Sequence, residues 1–228
     1  MEDIRIYIAE QRGETAIGDS WVRSILNYDS YIAPHRDAIG SLHHANEWTG
    51  RAGQTFILPL PAQHVFVFVP LAGGLVVQTT DKEYTVSLGS LLVLPVDMDT
   101  AVSVRQSGPG EDYFVFQQFV FSSSECRPEN TRCYVLPIVH ISNKNKLLPV
   151  LEKGDAPFQI YIGAFAGKVE DTLTLDSAFR HTFATTLDGN FEVEQRLLFS
   201  GDALFLPGLE KLEAECLSNT GVLLILHF

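Results

Sequence analysis

Hydrophobic and polar side chains alternate over short segments through most of the chain, which is the pattern of strands with one buried face. The strongest alternation lies at residues 64–69, where three valines at odd positions are interleaved with His64, Phe66 and Phe68. Comparable segments are separated by glycine, proline, aspartate and asparagine; they include LVVQTT, YTVSLGSLLVLP, TAVSVRQ, DYFVFQQFVF, FQIYIGAFAG and GVLLILHF. The pattern predicts an all-β protein with little helix.

One stretch departs from this pattern. Residues 143–155, NKNKLLPVLEKGD, have the composition of a short helix interrupted by Pro149. They follow an irregular segment, SSSECRPENTRC, that separates two strand-rich regions. We therefore predict an N-terminal β domain over residues 1–125, a linker with a short helix over residues 126–156, and a C-terminal β domain over residues 157–228.

A short repeat supports the division into two β domains. Residues 89–95 read GSLLVLP and residues 201–207 read GDALFLP, so that Gly89 aligns with Gly201 and Pro95 with Pro207. A glycine turn followed by a strand precedes each copy, as GGLVVQ at 73–78 and as GNFEVE at 189–194. The same order of elements therefore occurs twice along the chain.

Two prolines stand immediately before the strongest predicted strand. Pro59 and Pro61 lie in the segment ILPLPAQHV, and proline has no N–H to donate to a strand ladder. Prolines in sheets are confined to edges and strand starts. We therefore expect this segment to form an extended rim in which the two positions lack ladder partners.

Charge and composition narrow the range of partners. The 228 residues carry a formal net charge of −12, and 46% of them are hydrophobic, which is enough for a packed core. An acidic surface disfavours binding to phosphate backbones and anionic membranes. We therefore expect neither a nucleic-acid partner nor a membrane partner.

The N-terminal sequence and the cysteines indicate the cellular compartment of the protein. The segment MEDIRIYIAEQRGE has no long apolar core, so it does not have the pattern of a signal peptide. The cysteine count of three is odd, which favours reduced thiols and a cytoplasmic protein. A disulfide between Cys126 and Cys133 is the alternative. The absence of a CxxC pair argues against a structural zinc site.

The repeated segments resemble those of a known fold family. GDALFLPG matches the second motif of the cupins, and two copies in one chain resemble a bicupin. The segment from Gln11 to Trp48 resembles the N-terminal part of the pirin/quercetinase-like family, and FVFQQFVF stands where that family has a Q-x-W strand. Residues 158–228 resemble its second domain. The resemblance covers nearly the whole chain and implies an all-β fold of two tandem cupin (jelly-roll) β-barrel domains.

The resemblance also indicates where a metal would bind. Family members with metal carry H-x-H, then a glutamate four residues later and a histidine about forty residues downstream, a set that suits iron, copper, nickel or zinc. Carried over to this chain, these positions fall on Pro59, Pro61, Val65 and the region of Ala101 and Val102. None of these side chains can bind a metal. We therefore predict that the metal site is lost and that the protein has no cofactor.

A pocket without metal ligands is then expected in the first barrel. By the alternation of a strand, Pro59, Pro61, Gln63 and Val65 share one face, which we predict to line the pocket. Gln117 and Gln118 are adjacent, so one of the two must also face inward. The pocket would be largely apolar, with these amides as its polar groups.

The remaining histidines are predicted not to form a ligand set. His64 has the opposite parity to Val65 and is predicted to point out of the pocket. His43 and His44 are neighbours, so on a regular strand they face opposite sides. A loop site that combines one of them with His35 and Glu47 remains an alternative.

These expectations favour binding over catalysis. We predict a pirin-like bicupin that is a non-catalytic small-molecule-binding, regulatory or scaffold protein, whose partner is a small apolar or aromatic molecule or another protein. The alternative is a metal-dependent, quercetinase-like dioxygenase, which needs a redox metal for its oxygen chemistry. No nucleophile elbow, phosphate-binding loop, dinucleotide fingerprint or H-E-x-x-H motif points to another enzyme class.

Overall fold

The computed structural model describes residues 3–108, 112–140, 143–151 and 154–228. These residues form strands and three single-turn 3-10 helices, and no α-helix. The strands of the first half are β1 (Arg5–Tyr7), β2 (Gly13–Ile17), β3 (Ser20–Ser24), β4 (Leu42–Arg51), β5 (Thr55–Leu60), β6 (His64–Ala72), β7 (Leu75–Gln78), β8 (Glu83–Val86), β9 (Ser90–Val96), β10 (Thr100–Gln106), β11 (Tyr113–Ser122) and β12 (Arg132–Val135).

The second half adds β13 (Leu148–Pro149), β14 (Gln159–Ala166), β15 (Val169–Thr174), β16 (His181–Asp188), β17 (Phe191–Val193), β18 (Arg196–Leu198), β19 (Ala203–Pro207), β20 (Lys211–Cys216) and β21 (Thr220–His227). The 3-10 helices span Ala9–Gln11, Pro128–Asn130 and Pro137–Val139. All the described strand pairs are antiparallel, as a jelly roll requires.

The strands form two barrels of the same design. In the first, a sheet ordered β12-β9-β6-β11-β4-β3-β2 faces one ordered β5-β10-β7-β8. In the second, a sheet ordered β1-β19-β16-β21-β14-β13 faces one ordered β15-β20-β17-β18. The orders β9-β6-β11-β4 and β19-β16-β21-β14 correspond, as do the two four-stranded sheets. The repeated GSLLVLP and GDALFLP segments, which form β9 and β19, therefore occupy equivalent places in two tandem cupin barrels, as the sequence predicts.

The predicted domain boundaries need a correction at both ends of the first domain. The compact units are Gly13–Val135 and, as the second, the chain up to Arg12 together with Leu136–Phe228. The reason is the pairing of β1 with β19, which aligns Ile6 with Leu204 and adds the N-terminal strand to the second barrel. Such a distant pairing leaves no local signal in the sequence.

The predicted linker helix is not formed in its described part, and residues 152–153 of it lie outside the described residues. Residues 143–151 contain turns and the two-residue strand β13. Leu148 and Pro149 pair with Ile162 and Tyr161 at the edge of the six-stranded sheet. The backbone N–H of Leu147 donates to the Asp171 carboxylate at 2.7 Å. Sheet pairing therefore outweighs the local helical composition.

Each barrel encloses its own apolar core. In the first, the core side chains include Phe66, Phe68, Leu58, Leu60 and Trp48. In the second, the core clusters around aromatic and aliphatic residues of β14, β17, β19 and β21. Among the described residues, no helix has the length and apolarity needed to cross a membrane.

The faces of β5 and β6 are the reverse of those predicted. Leu58 and Leu60 point into the first barrel, as do Phe66 and Phe68, whereas Val65 is not part of this core. The alternation cannot be carried from β5 to β6, because the strands belong to different sheets and the chain turns between them. Gln63 adopts a left-handed backbone conformation in that turn, with φ of 59°. The large phenylalanine rings fill the barrel, and the smaller valines occupy the other face of β6.

The two prolines before β6 lie where their chemistry allows. β5 is the edge strand of its sheet, and Pro59 pairs with Ala101 of β10 on its single neighbour. Pro61 follows the end of the strand and lies outside the ladder. Both side chains are exposed. An edge strand tolerates the missing N–H because one side of it needs no ladder partner.

Candidate functional site

A pocket of about 360 Å³ lies in the first barrel between β4, β5, β6 and β11. Leu58, Phe66 and Val120 form apolar walls, and Pro59 and Pro61 form its rim. This volume lies within the range typical of small-molecule sites, about 300–1,000 Å³. The remaining lining side chains are Tyr28, His44, His64 and Gln118.

The amide of Gln118 is held by buried hydrogen bonds. Its Oε1 accepts from Trp48 Nε1 at 2.9 Å and from Asn46 Nδ2 at 3.4 Å. All three residues are buried and lie on the inward face of β4 and β11. The Oδ1 of Asn46 is buried without a hydrogen-bond partner. A polar network inside an apolar barrel restricts the rotamers of its members strongly.

Gln117 lies on the opposite face of β11 and does not reach the pocket. Its Nε2 donates to Glu47 at 3.0 Å, and its Oε1 is buried without a partner. Of the two adjacent glutamines, Gln118 is therefore the one that faces inward.

A β-bulge in β4 changes the arrangement of the histidines. Val120 pairs with His44, and Phe121 pairs with Leu42, so His43 is an extra residue on its strand. The ring centroid of His43 lies 5.3 Å from that of His64 and 6.4 Å from that of His44. The expectation that adjacent histidines face opposite sides is therefore wrong here, because the bulge interrupts the alternation.

His64 also differs from its predicted orientation. It lines the pocket with Phe66, and its Nδ1 lies 2.8 Å from the carbonyl oxygen of Ala62. The prediction placed it outside because it assumed that Val65 faced inward. Once Phe66 and Phe68 are the inward residues of β6, His64 shares their face.

Burial alters the protonation of groups around the pocket. It lowers the pKa of His43 and His44 below the ordinary histidine value, and neighbouring imidazoles lower both further. The hydrogen bond from His44 to the Asn27 carbonyl opposes that shift. Burial also raises the pKa of Tyr28, whose ring contacts His44 edge-on at 5.2 Å. These effects favour neutral side chains at the pocket.

Three of the six residues predicted to line the pocket do so: Pro59, Pro61 and Gln118. Gln63 lies in the turn before β6, and Val65 and Gln117 lie on the outer faces of their strands. Sequence reasoning missed Tyr28, His44 and His64. The aromatic and histidine content of the N-terminal segment is the one signal that could have suggested them.

The described residues do not provide a usual ligand set for a transition metal. They contain no group of three or more histidine, cysteine, aspartate or glutamate side chains arranged to hold a metal ion. His35 and Glu47, which the sequence left as partners of His43 or His44, do not line this pocket. The pocket itself contributes two imidazoles and no carboxylate.

A larger cleft of about 620 Å³ opens elsewhere in the first barrel. Its walls come mainly from connecting segments at residues 79–82, 97–100 and 128–131. These segments contribute carboxylates, and Met98 at its edge is 71% exposed. The smaller pocket is the better candidate, because buried hydrogen bonds hold its polar groups in place.

The cysteines and His227 line neither the smaller pocket nor the larger cleft. Cys126, Cys133 and Cys216 are free thiols, and burial raises the pKa of Cys126 and Cys133. His227 is fully buried in the second barrel, where its Nε2 lies 2.9 Å from the Asp176 carbonyl oxygen and its Nδ1 lies 3.1 Å from Thr182.

No family model matches the sequence, and no curated protein matches it either. Among solved structures, the bacterial pirin YhhW from Escherichia coli, in complex with nickel(II), has a TM-score of 0.83 at 16% identity, with 98% of each chain covered.

Two further structures have the same architecture. Quercetin 2,3-dioxygenase from Acinetobacter baumannii has a TM-score of 0.70 at 14% identity, with 98% of this chain and 78% of that chain covered. A cupin 2 conserved barrel domain protein from Leptotrichia buccalis has a TM-score of 0.55 at 13% identity, with 93% and 90% covered. The chain therefore has the pirin/quercetinase-like bicupin fold.

Proposed function

We propose that this protein is a bicupin that binds a small apolar or aromatic molecule in its first barrel and performs no metal-dependent chemistry. The observation that carries the proposal is the pocket between β4, β5, β6 and β11, which has apolar walls and a small set of oriented polar groups. Such sites bury most of the surface of a small ligand and orient it with few hydrogen bonds. A regulatory or sensing role follows, in which ligand occupancy is the signal.

The donor groups support the absence of metal chemistry. The related fold of YhhW was solved with nickel(II), and the resemblance assigns the ligand positions to Pro59, Pro61 and Val65. Two of these side chains are exposed on the rim, and the third lies on the outer face of β6. His44 and His64 alone leave a metal short of the three nitrogens and the carboxylate of the family pattern. The residues present therefore do not fit that metal centre.

The test measures metals and bound molecules in the same preparation. Protein purified without added metal, then incubated with nickel(II), iron(II), copper(II) and manganese(II) in turn, is expected to retain none of them stoichiometrically after desalting. Native mass spectrometry then detects any small molecule that remains bound. A stoichiometric metal, together with oxygen consumption in the presence of quercetin, would favour the metal-dependent dioxygenase instead.

A variant provides a matched control for the ligand positions. Pro59→His combined with Pro61→His restores the H-x-H pattern in sequence but places the imidazoles on an exposed edge of β5. The double variant is expected to bind nickel(II) no more tightly than the wild type. Tight binding by this variant alone would show that the rim can supply a metal site.

The proposal includes the cellular location of the protein and the classes of partner that it does not bind. The odd number of cysteines favours a reducing, cytoplasmic environment for the protein, and its net charge of −12 disfavours binding to nucleic acid or an anionic membrane surface. Fractionation of cells that express the protein, with detection by antibody, checks its location.

A further inference from the structure

The hydrogen bonds around the pocket fix which atom of the Gln118 amide is available to a ligand. An indole N–H can only donate, so the amide atom 2.9 Å from Trp48 Nε1 must be the oxygen. The contact with Asn46 Nδ2 agrees with that assignment. The Nε2 group, which lines the pocket with its residue, has no hydrogen-bond partner among the described residues. Gln118 therefore offers the pocket a donor.

The same reasoning fixes the tautomers of the two pocket histidines. Nδ1 of His64 lies 2.8 Å from the carbonyl oxygen of Ala62, and Nδ1 of His44 lies 3.3 Å from that of Asn27. A carbonyl oxygen only accepts, so Nδ1 is the nitrogen that carries the proton when the ring is neutral. Each Nε2 then carries a lone pair, and neither has a partner among the described residues. The pocket therefore presents two acceptors.

The charge of the pocket is the third feature. None of its lining residues is an aspartate, glutamate, lysine or arginine. Burial and the neighbouring imidazoles lower the pKa of His44, which keeps that ring neutral near pH 7. A buried carboxylate or ammonium group on a ligand would find no counter-charge, and an unpaired buried charge is strongly unfavourable.

We infer that the pocket selects an uncharged aromatic molecule that donates hydrogen bonds to the Nε2 atoms of His44 and His64 and accepts one from Gln118. This inference rests on the proposed binding function and adds the polarity of the ligand to it. A ring system with two hydroxyl or amino substituents has this chemistry, because a hydroxyl can both donate and accept. Aromatic carboxylates and aromatic ethers lack it.

The experiment compares three probes of one ring system. Isothermal titration at pH 8 measures the affinity of dihydroxynaphthalenes, their dimethyl ethers and the corresponding naphthoates. The inference predicts that at least one diol binds tenfold or more tightly than its ether and its naphthoate, a difference equivalent to about one hydrogen bond.

Variants assign that difference to particular atoms. Gln118→Glu keeps an oxygen within reach of Trp48 Nε1 and replaces the donor by an acceptor, so the affinity for the diol is expected to fall tenfold or more. His64→Phe is expected to lower the affinity for the diol by a similar factor and to leave the affinity for the ether unchanged. Gln118→Leu removes the donor without adding a charge and is expected to lower the affinity for the diol by a similar factor. Gln117→Leu, on the outer face of β11, is its matched control and is expected to leave binding unchanged. Thermal melts confirm that each variant is folded.

The outcomes separate this inference from the proposed function. If the ether or the naphthoate binds as tightly as the diol, the pocket binds aromatic molecules but the assigned polarity is wrong. If none of the three probes binds and a metal is retained, both proposals are wrong. An affinity for the diol that Gln118→Glu and His64→Phe leave unchanged would also overturn the inference, because it would place the ligand elsewhere.

Discussion

Asp202 is expected to hold the N-terminal strand on the second barrel. It is the aspartate of the GDALFLP segment and is 3% exposed. One carboxylate oxygen accepts from the backbone N–H of Ala9 at 2.7 Å, and the other accepts from the backbone N–H of Phe199 at 2.9 Å. The carboxylate thus links the β19 turn to a segment 193 residues away in sequence.

The substitution Asp202→Asn preserves the shape of the side chain and removes one acceptor. The amide oxygen of the variant side chain can replace one carboxylate oxygen, but the amide NH₂ group then faces the other backbone N–H. Neither rotamer of the amide can therefore accept from both backbone N–H groups. Hydrogen bonds to a charged group contribute about 1.5–3 kcal/mol each, and a buried unpaired donor costs about 1–3 kcal/mol. We expect the free energy of unfolding to fall by about 2–4 kcal/mol, which corresponds to a decrease in Tm of about 4–16 °C.

Two measurements test this expectation. Urea denaturation gives the free energy of unfolding, and hydrogen exchange reports whether the amides of β1 lose protection more than those of the first barrel. Ser90→Ala is the matched control, because Ser90 occupies the equivalent repeat position and its hydroxyl donates only to the nearby Ser87 carbonyl. An Asp202→Asn protein with unchanged β1 exchange and a stability within about 0.5 kcal/mol of the wild type would refute the reasoning.

Three further predictions concern the first barrel. Trp48→Phe removes the hydrogen bond to the pocket amide and is expected to lower the free energy of unfolding by about 1–3 kcal/mol, whereas Trp21→Phe, whose indole N–H is already without a partner, should lower it less in the same urea titration. The pKa of His44 is lowered in the folded state, so the unfolded chain binds more protons than the folded chain as the pH falls. The stability that is present above about pH 6.5 should therefore be lost as the pH falls through the lowered pKa. The urea midpoint of His44→Gln should depend less on pH than that of the wild type. Alkylation under denaturing conditions without reductant should modify three thiols by mass spectrometry, whereas a bridge between Cys126 and Cys133 would leave one.

The sequence predicted the repeated architecture because that information is local. Glycine turns, alternating strands and the matching segments around Pro95 and Pro207 recur at equivalent positions, and the structure places them in equivalent strands, β9 and β19. The place of the N-terminal strand was not predictable in this way, because β1 pairs with residues about 200 positions away. A three-residue strand carries too little pattern to specify a distant partner.

The sequence pattern did not specify which side chains of β4, β6 and β11 face the candidate site. Pro59, Pro61 and Gln118 line the pocket, and two local irregularities set the orientation of the histidines. The turn at Gln63 separates the alternation of β5 from that of β6, and the bulge at His43 adds a residue to β4. Both features depend on the pairing with neighbouring strands, which a period-2 pattern in one segment does not contain.

The amide oxygen and the amide NH₂ group of Gln118 have different roles, and the difference bears on whether the pocket binds a ligand. Trp48 Nε1 needs an acceptor inside an apolar barrel, and Gln118 Oε1 satisfies it. That requirement does not account for the amide NH₂, which lines the pocket with its residue and has no partner among the described residues. The NH₂ group therefore has a hydrogen-bond partner only when the pocket holds an acceptor, either water or a ligand. Trp48→Phe tests the role of the oxygen through stability, and Gln118→Glu tests the role of the NH₂ group through affinity. A pocket with an oriented donor for a ligand requires that Trp48→Phe lowers the free energy of unfolding and that Gln118→Glu lowers the affinity for the diol.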